Sequence, residues 1–427
     1  MRFPELAWPE RVVGPPPAAH EIRVACVGVL FCALLVLAGA LVLRPTKAAV
    51  LGLGYGEDFI GFYGVGHLLN EYPPERLYDF QTQEEVYLEL RPDETHLTLP
   101  YVHAPFEALL FRPFAMLPFR VAYFLWLLLG LAAYVVGMVV VTNRFGPWGG
   151  ERRTVLLLAL SFSPFVLETW LGGNVAVLAF LAMATAVALD DANRPVLSGM
   201  SLSLCLNKPS LLVLTIPMLL LSRRFKVLVG FGIGAAVLVG SSTLALGIDA
   251  WPNFVEALFW WAQRTRENSG FFRDWKYVDI NTFSRVLPGG RSWVGVTLFG
   301  GLALSALAAL VRAWVTSNRR ARGAAGLDWA AAITWTLVLN AYVPIYDCVL
   351  LVVAGVLTGA ALRHPVSGSL PPAFHAVVAL CYLSAWLTQP FARIVGIQIY
   401  TLVLAYTGMW LLLQTERSQA PQASPGW

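Results

Sequence analysis

The chain is 427 residues long, 57% hydrophobic and 13% charged, with a formal net charge of +4. Soluble domains carry about 25% charged residues, so this composition, with a mean hydropathy of +0.63, excludes a soluble globular domain. The small positive excess lies mostly in short loops, where it orients a membrane protein and makes no nucleic-acid surface.

Apolar runs long enough to cross about 30 Å of hydrocarbon recur along the chain. Backbone groups in lipid must pair internally, and these runs lack the alternation of strands, so they read as helices. The expected fold class is an all-α polytopic membrane protein. Residues 1–21, with Pro15–Pro16–Pro17, form an N-terminal tail. Ile22–Leu43 is the first crossing, read as an uncleaved signal anchor because no Ala-x-Ala site follows it. An insert, 44–104, comes next. It opens on Gly56–Glu57–Asp58–Phe59 and continues as an apolar helix to Leu69, lying on the membrane surface or tucked against the bundle. A polar helix covers Pro74–Leu90, and Pro92 and Pro100 then break the chain. Pro105–Leu117 is short for a span; Phe119–Thr142 is a full one.

Thr154–Trp170, Val175–Leu189, a proline-split pair (Val196–Leu206 and Pro209–Leu221) and Val227–Gly247 follow. A second long polar loop, 248–290, precedes the spans Ser292–Thr316, Leu327–Ala341, Tyr346–Leu362, Pro372–Leu387 and Ile394–Gln414. In all, about eleven to thirteen crossings are expected. Residues 22–414 thus read as a single transmembrane domain, and 415–427, rich in Pro, Ser and Gln, as a disordered tail. The five cysteines, Cys26, Cys32, Cys205, Cys348 and Cys381, lie in or beside apolar segments and show neither metal spacing nor a disulfide framework.

The basic loops set the orientation. Arg144, Arg152–Arg153, Arg223–Arg224–Lys226, Arg319–Arg320–Arg322, Arg363 and Arg417 belong on the cytoplasmic side. Alternate crossings then put Asp58, Gly172–Gly173–Asn174, 248–290, Tyr342–Asp347 and Gln389–Arg393 on the other face. Parity holds only if Pro105–Leu117 is re-entrant or half-buried, or if one loop is assigned to the wrong side.

Polar residues collect on that outer face. Asn207–Lys208–Pro209 puts an ammonium between two apolar half-segments. It either meets an anion such as phosphate or snorkels from a hairpin tip. Asp347 either pairs with a cation such as Lys208, contacts a substrate, or caps the helix that begins there. Asn174 is a cap for Val175–Leu189 or a ligand contact. In Tyr101–Val102–His103–Ala104–Pro105, His103 is a phosphate partner or proton carrier, or a hydrogen-bonded structural residue. The 248–290 loop carries Trp251, Trp260, Trp261 and Trp275 with Arg264, Arg266, Arg273, Lys276 and Arg285. That mixture is an interfacial aromatic belt, or a lid for an anionic lipid headgroup. Asp58 itself reads on position alone as a solvated acid or a cap of Phe59–Leu69.

The motifs, taken together, resemble a known family. Asp58–Phe59 with Phe62–Tyr63 resembles the acid-aromatic motif in the first external loop of the GT-C superfamily, polytopic glycosyltransferases that use polyprenyl-phosphate sugars. The downstream pieces are similar to glycosyltransferase family 87. These are Leu77–Tyr78–Asp79 with Gln81 or Gln83, Tyr101–Val102–His103–Ala104–Pro105, Pro113, Leu117–Pro118 and Trp126. Gly172–Gly173–Asn174, Gly199 to Lys208–Pro209, Arg223–Arg224–Phe225, Asn281 and Tyr346–Asp347 follow in family order. Two positions depart: Tyr342 stands where members often carry a histidine or similar residue, and the usual double proline is Ala104–Pro105.

The resemblance implies an inverting, metal-independent enzyme without a cofactor, working at the outer leaflet of the plasma membrane. Asp58 would act as general base on the acceptor hydroxyl, and the sugar, mannose by family precedent, would leave a polyprenyl phosphate. The partners implied are that lipid-linked donor, a glycolipid or glycan acceptor and the bilayer, with no nucleic acid. Candidate donor-binding residues are Lys208, His103, Tyr101, Asn174, Asn281, Tyr342, Asp347, Arg264 and Arg266. Two other classes stay open: a transporter or flippase of lipid-linked sugars, with Lys208 and Asp347 on its path, and a non-catalytic assembly subunit of the cell envelope.

Overall fold

A computed structural model describes residues 19–43, 56, 58–90, 100–146, 148, 151–267, 274–287, 292–317, 324–364 and 368–419. Helix α1 (Ala19–Leu43) is the first apolar run. Helices α2 (Phe59–Glu71), α3 (Phe80–Leu90) and α4 (Pro105–Phe111) build the first insert. Next come α5 (Phe119–Arg144), α6 (Arg152–Leu160) and α7 (Pro164–Leu171), the last a π-helix. They are followed by α8 (Ala176–Asp191), α9 (Pro195–Ser203), α10 (Thr215–Leu221) and α11 (Phe225–Leu246). Helices α12 (Ala250–Glu267) and α13 (Ile280–Val286) form the second insert. The chain ends in α14 (Trp293–Thr316), α15 (Ala324–Val338), α16 (Leu350–Leu362), α17 (Pro372–Val395) and α18 (Ile399–Gln419).

Among the described residues, six helices are individually long and apolar enough to cross a bilayer, or seven if α6 and α7, bent by 53°, make one span. The chain is an all-α polytopic membrane protein. The larger number of crossings expected from sequence counted runs that fold as shorter pieces. Prolines cut one of them: Pro195 and Pro209 each open a new segment, and Pro195–Asn207 and Pro209–Leu221 are too short to count alone, as are α8 at 16 residues and α15 at 15 without any internal proline. Pro105–Leu117 is likewise two pieces, α4 and a 3₁₀ turn at Phe114–Met116. Both pack against α2 and α5, with Ala108 and Phe111 fully buried.

Three other expectations change. The second insert is largely helical: Ala250, Phe254, Ala257 and Trp261 are buried at spacings of three and four, so one face of α12 is apolar and packs inward. Gln389–Arg393 is not a loop, because α17 runs through Pro390 and stops at Gly396 in the left-handed region (φ 73°). The final helix reaches Gln419, past the predicted start of the tail; residues 420–427 and 1–18 lie outside the described residues.

Two apolar clusters hold these helices. The larger is centred on α8, whose alanines let α5, α9, α15 and α16 approach, and which is buried nearly all round. Helices α9 and α11 touch through glycines. A Cβ on Gly199 would lie 1.9 Å from the Val227 carbonyl, and one on Gly230 2.0 Å from that of Val196. The second cluster gathers α2, α4, the first turns of α5 and one face of α12. Helix α8, at 16 residues, spans about 24 Å. At its C-terminal end Asp190 and the neighbouring Asp328 share the buried Arg224, 2.5 and 3.4 Å away. Trp329 donates to Asp190 and Ser317 to Asp328. At its N-terminal end is Asn174.

Candidate active site

The turn before α8 positions everything else. Gly173 adopts φ 75°, a region open to glycine at little cost. A Cβ there would also stand 2.6 Å from the Cβ of Phe59. Trp126 donates its indole N–H to the Gly173 carbonyl at 2.9 Å. The Gly172 carbonyl accepts the N–H groups of Asp58 (3.1 Å) and Phe59 (3.3 Å). Phe59 is then fully buried among Phe111, Phe114, Tyr123 and Trp126. The first insert is therefore fixed to the bundle at the residue carrying the carboxylate.

Asp58 precedes α2 but makes no side-chain cap. Its Oδ2 accepts from Asn174 Nδ2 at 2.7 Å. Asn174 Oδ1 in turn accepts the Ala176 N–H at 2.8 Å. One side chain thus satisfies the start of α8 and aims an amide at Asp58, so cap and site contact coexist.

Lys208 lies on the irregular turn between two 3₁₀ pieces, with φ −134° and ψ 79°. It does not snorkel. It is 8% exposed, its Nζ is 2.7 Å from Asp347 Oδ1, and it lies 3.9 Å from the centre of the Tyr346 ring. Asp347 is not a cap either, since Pro344 holds that position and Asp347 lies inside the Ile345–Val349 turn. An ammonium has three donors, and Asp347 offsets the cost of burying the charge of Lys208.

The second insert packs against the Ala341–Pro344 turn that precedes Asp347. Asp279 caps α13 and is fully buried. It accepts from the Thr282 N–H (2.8 Å), the Thr282 hydroxyl (3.0 Å) and the Val343 N–H (3.0 Å). Burial pushes its carboxyl up, against the pull of these hydrogen bonds. Val278 donates to the Val343 carbonyl at 2.9 Å, beside the Tyr277–Pro344 bridge. Tyr277 and Tyr342 join hydroxyls at 2.5 Å, and Trp261 hydrogen-bonds Tyr342. Burial pushes the Tyr342 hydroxyl up to about 12, with the charges of Asp58 and Asp347 acting the same way, so it remains a neutral phenol near pH 7. Both carboxylates also act on Tyr346, and His103 is within electrostatic reach of Asp347. Lys276 pairs with Glu168 of α7 at 3.3 Å.

The structure therefore brings together Asp58, Asn174, Lys208, Asp347, Tyr342 and His103, the last on the chain just before α4. The remaining candidates have other duties. Tyr101 is buried and its hydroxyl donates to the Ala104 carbonyl at 3.1 Å. Asn281 turns its amide to the Ala341 carbonyl at 3.0 Å and so braces the Tyr342 turn. Arg264 is exposed, its guanidinium over Trp260. The side chain of Arg266 and all of Arg273 lie outside the described residues. Sequence reasoning missed Glu168, Asp279 and Glu107. An Asp three residues before a Thr is a cap signal, and it would have found Asp279. Nothing in the sequence pairs Glu168 with Lys276 across 108 positions. Among the described residues, no three His, Cys, Asp or Glu side chains gather as a metal site.

The sequence pattern of Glycosyltransferase family 87 matches residues 101–340, more than half of the chain and downstream of Asp58. A curated relative from Mycolicibacterium smegmatis (strain ATCC 700084 / mc(2)155) is 29% identical over 244 residues. It is a polyprenol-phosphate-mannose-dependent alpha-(1-2)-phosphatidylinositol pentamannoside mannosyltransferase. The match covers 56% of this chain and 55% of the relative, so the chain spans about half the length of the protein it matches. No solved structure matches. The helical membrane architecture and the matched 101–340 region agree: this chain belongs to glycosyltransferase family 87.

Proposed function

We propose that the chain transfers a sugar from a polyprenyl-phosphate donor to a hydroxyl of a glycolipid or glycan acceptor, with inversion. The observation that carries this reading is the contact of Asp58 with Asn174 beside the buried Lys208–Asp347 pair. A carboxylate at this place can take a proton from an attacking hydroxyl. The acceptor oxygen bonds to the anomeric carbon as the bond to phosphate breaks, and the electron pair stays on the phosphate. Lys208 and His103 stabilise the charge gathering there. Tyr342, a neutral donor, lies between the two carboxylates and is suited to a sugar hydroxyl. Mannose is the sugar proposed, on the name of the relative. Reaction at the outer leaflet of the plasma membrane is the location proposed; the side rests on the positive-inside rule applied to the basic loops, and the membrane on the family resemblance. No metal or cofactor is needed in this scheme.

The test is transfer from polyprenyl-phosphate mannose by the purified protein in detergent. Asp58→Asn keeps a group able to accept from Asn174 and removes the base, so kcat should fall about 10²–10⁴-fold while the thermal midpoint holds. A normal rate in that variant sinks the base assignment.

A further inference from the structure

Glu107 is the third residue of α4, and its side chain is 1% exposed. A glutamate there ordinarily reaches back to the N-cap N–H. Glu107 does not: neither carboxylate oxygen accepts an aligned hydrogen bond from any described residue. Its Oε1 lies instead 3.2 Å from His103 Nδ1. Tyr78 and Tyr101 are near enough to feel its charge. Their hydroxyls, however, donate to the carbonyls of His103 (2.7 Å) and Ala104 (3.1 Å). The first insert thus fixes the His103 backbone and leaves the imidazole as the described group placed to offset the buried carboxylate. Burying a carboxylate without donors is costly, and a residue kept under that penalty needs a reason.

We propose that Glu107 is a positioning residue that holds His103 with its Nε2–H toward the departing phosphate. The proposal rests on the sugar-transfer reading above. The hydrogen bond at one imidazole nitrogen sets what the other presents. With Nδ1 turned to Glu107, Nε2 is the nitrogen left for a ligand, and a quarter of the ring side chain is exposed (25%). An imidazole that donates from both nitrogens serves Glu107 with one and the phosphate with the other. In the transfer, the bond from the anomeric carbon to phosphate breaks and its electrons stay on oxygen. Asp58 takes the acceptor proton, and His103 Nε2–H donates a hydrogen bond to the phosphate and keeps its proton.

The experiment measures transfer kinetics and, separately, binding of polyprenyl monophosphate in detergent micelles, for Glu107→Gln, His103→Gln and the double variant. Losing a carboxylate that orients a histidine costs about 10–100-fold. E107Q should lower kcat by that factor with the acceptor KM unchanged, and should weaken lipid-phosphate binding about as much as H103Q does. E107Q should cost nothing further in the H103Q background, because both changes remove one donor. Multiplying losses, or wild-type phosphate binding by E107Q, overturns the proposal. Glu107→Met, of similar volume, replaces E107Q if that variant does not fold. If the wild-type protein moves no sugar from any polyprenyl-phosphate donor, the transfer reading fails by itself and the binding arm still judges Glu107.

Discussion

The Lys208–Asp347 pair puts a full charge of each sign in the bundle at 8% and 2% exposure. Breaking such a pair leaves one charge stranded and costs about 3–5 kcal/mol, whereas replacing both partners by apolar groups is often neutral. Lys208→Met alone should therefore unfold well below the wild type in a thermal scan. Lys208→Met with Asp347→Leu should recover most of that loss. If Lys208 serves the phosphate, the double variant regains stability without regaining transfer. Recovery of both makes the pair a structural device alone. Asp58 is half-buried and accepts a hydrogen bond from the Asn174 amide.

At the scale of the elements, the second insert is attached to the site through Asp279. This carboxylate ties α13 to the Tyr342–Val343 backbone by a hydrogen bond from the Val343 N–H. Its pKa is raised above the usual 3.8 chiefly by burial. The folded state therefore holds that proton more tightly than the unfolded chain. The associated stability is complete below pH 3.8 and is lost as pH rises through the raised value. Asp279→Asn cannot titrate and misplaces a donor against the Val343 N–H, costing about 1–3 kcal/mol. Thermal midpoints followed upward from pH 4 should fall for the wild type relative to that variant; parallel curves would refute the assignment.

The sequence made some of these elements legible and hid others. The long apolar runs, the acid-aromatic start of α2 and the Lys-Pro break could be read because each is a local pattern. Helix α12 was taken for a loop because its charged and tryptophan residues masked apolar positions spaced at three and four. The partners of Asn174, Lys208 and Tyr277 lie 116, 139 and 65 positions away, and such pairings are set by packing rather than by local spacing.

For the molecule as a whole, α8 joins two polar ends, the reaction site at one and the Arg224 clasp at the other. A helix of 16 residues covers about 24 Å, against about 30 Å for a hydrocarbon core. If the clasp is level with one headgroup plane, Asp58 sits about 6 Å beneath the other, within the acyl region. The enzyme is then mismatched to an ordinary bilayer, which must thin around it or let a lipid phosphate sink. Reconstituted into vesicles of graded acyl length, it should turn over fastest in the thinnest stable bilayer and slow steadily as the chains lengthen. A rate indifferent to chain length would mean that the clasp, not the site, bears the depth. The length of one alanine-rich helix would thus make membrane thickness a control on catalysis.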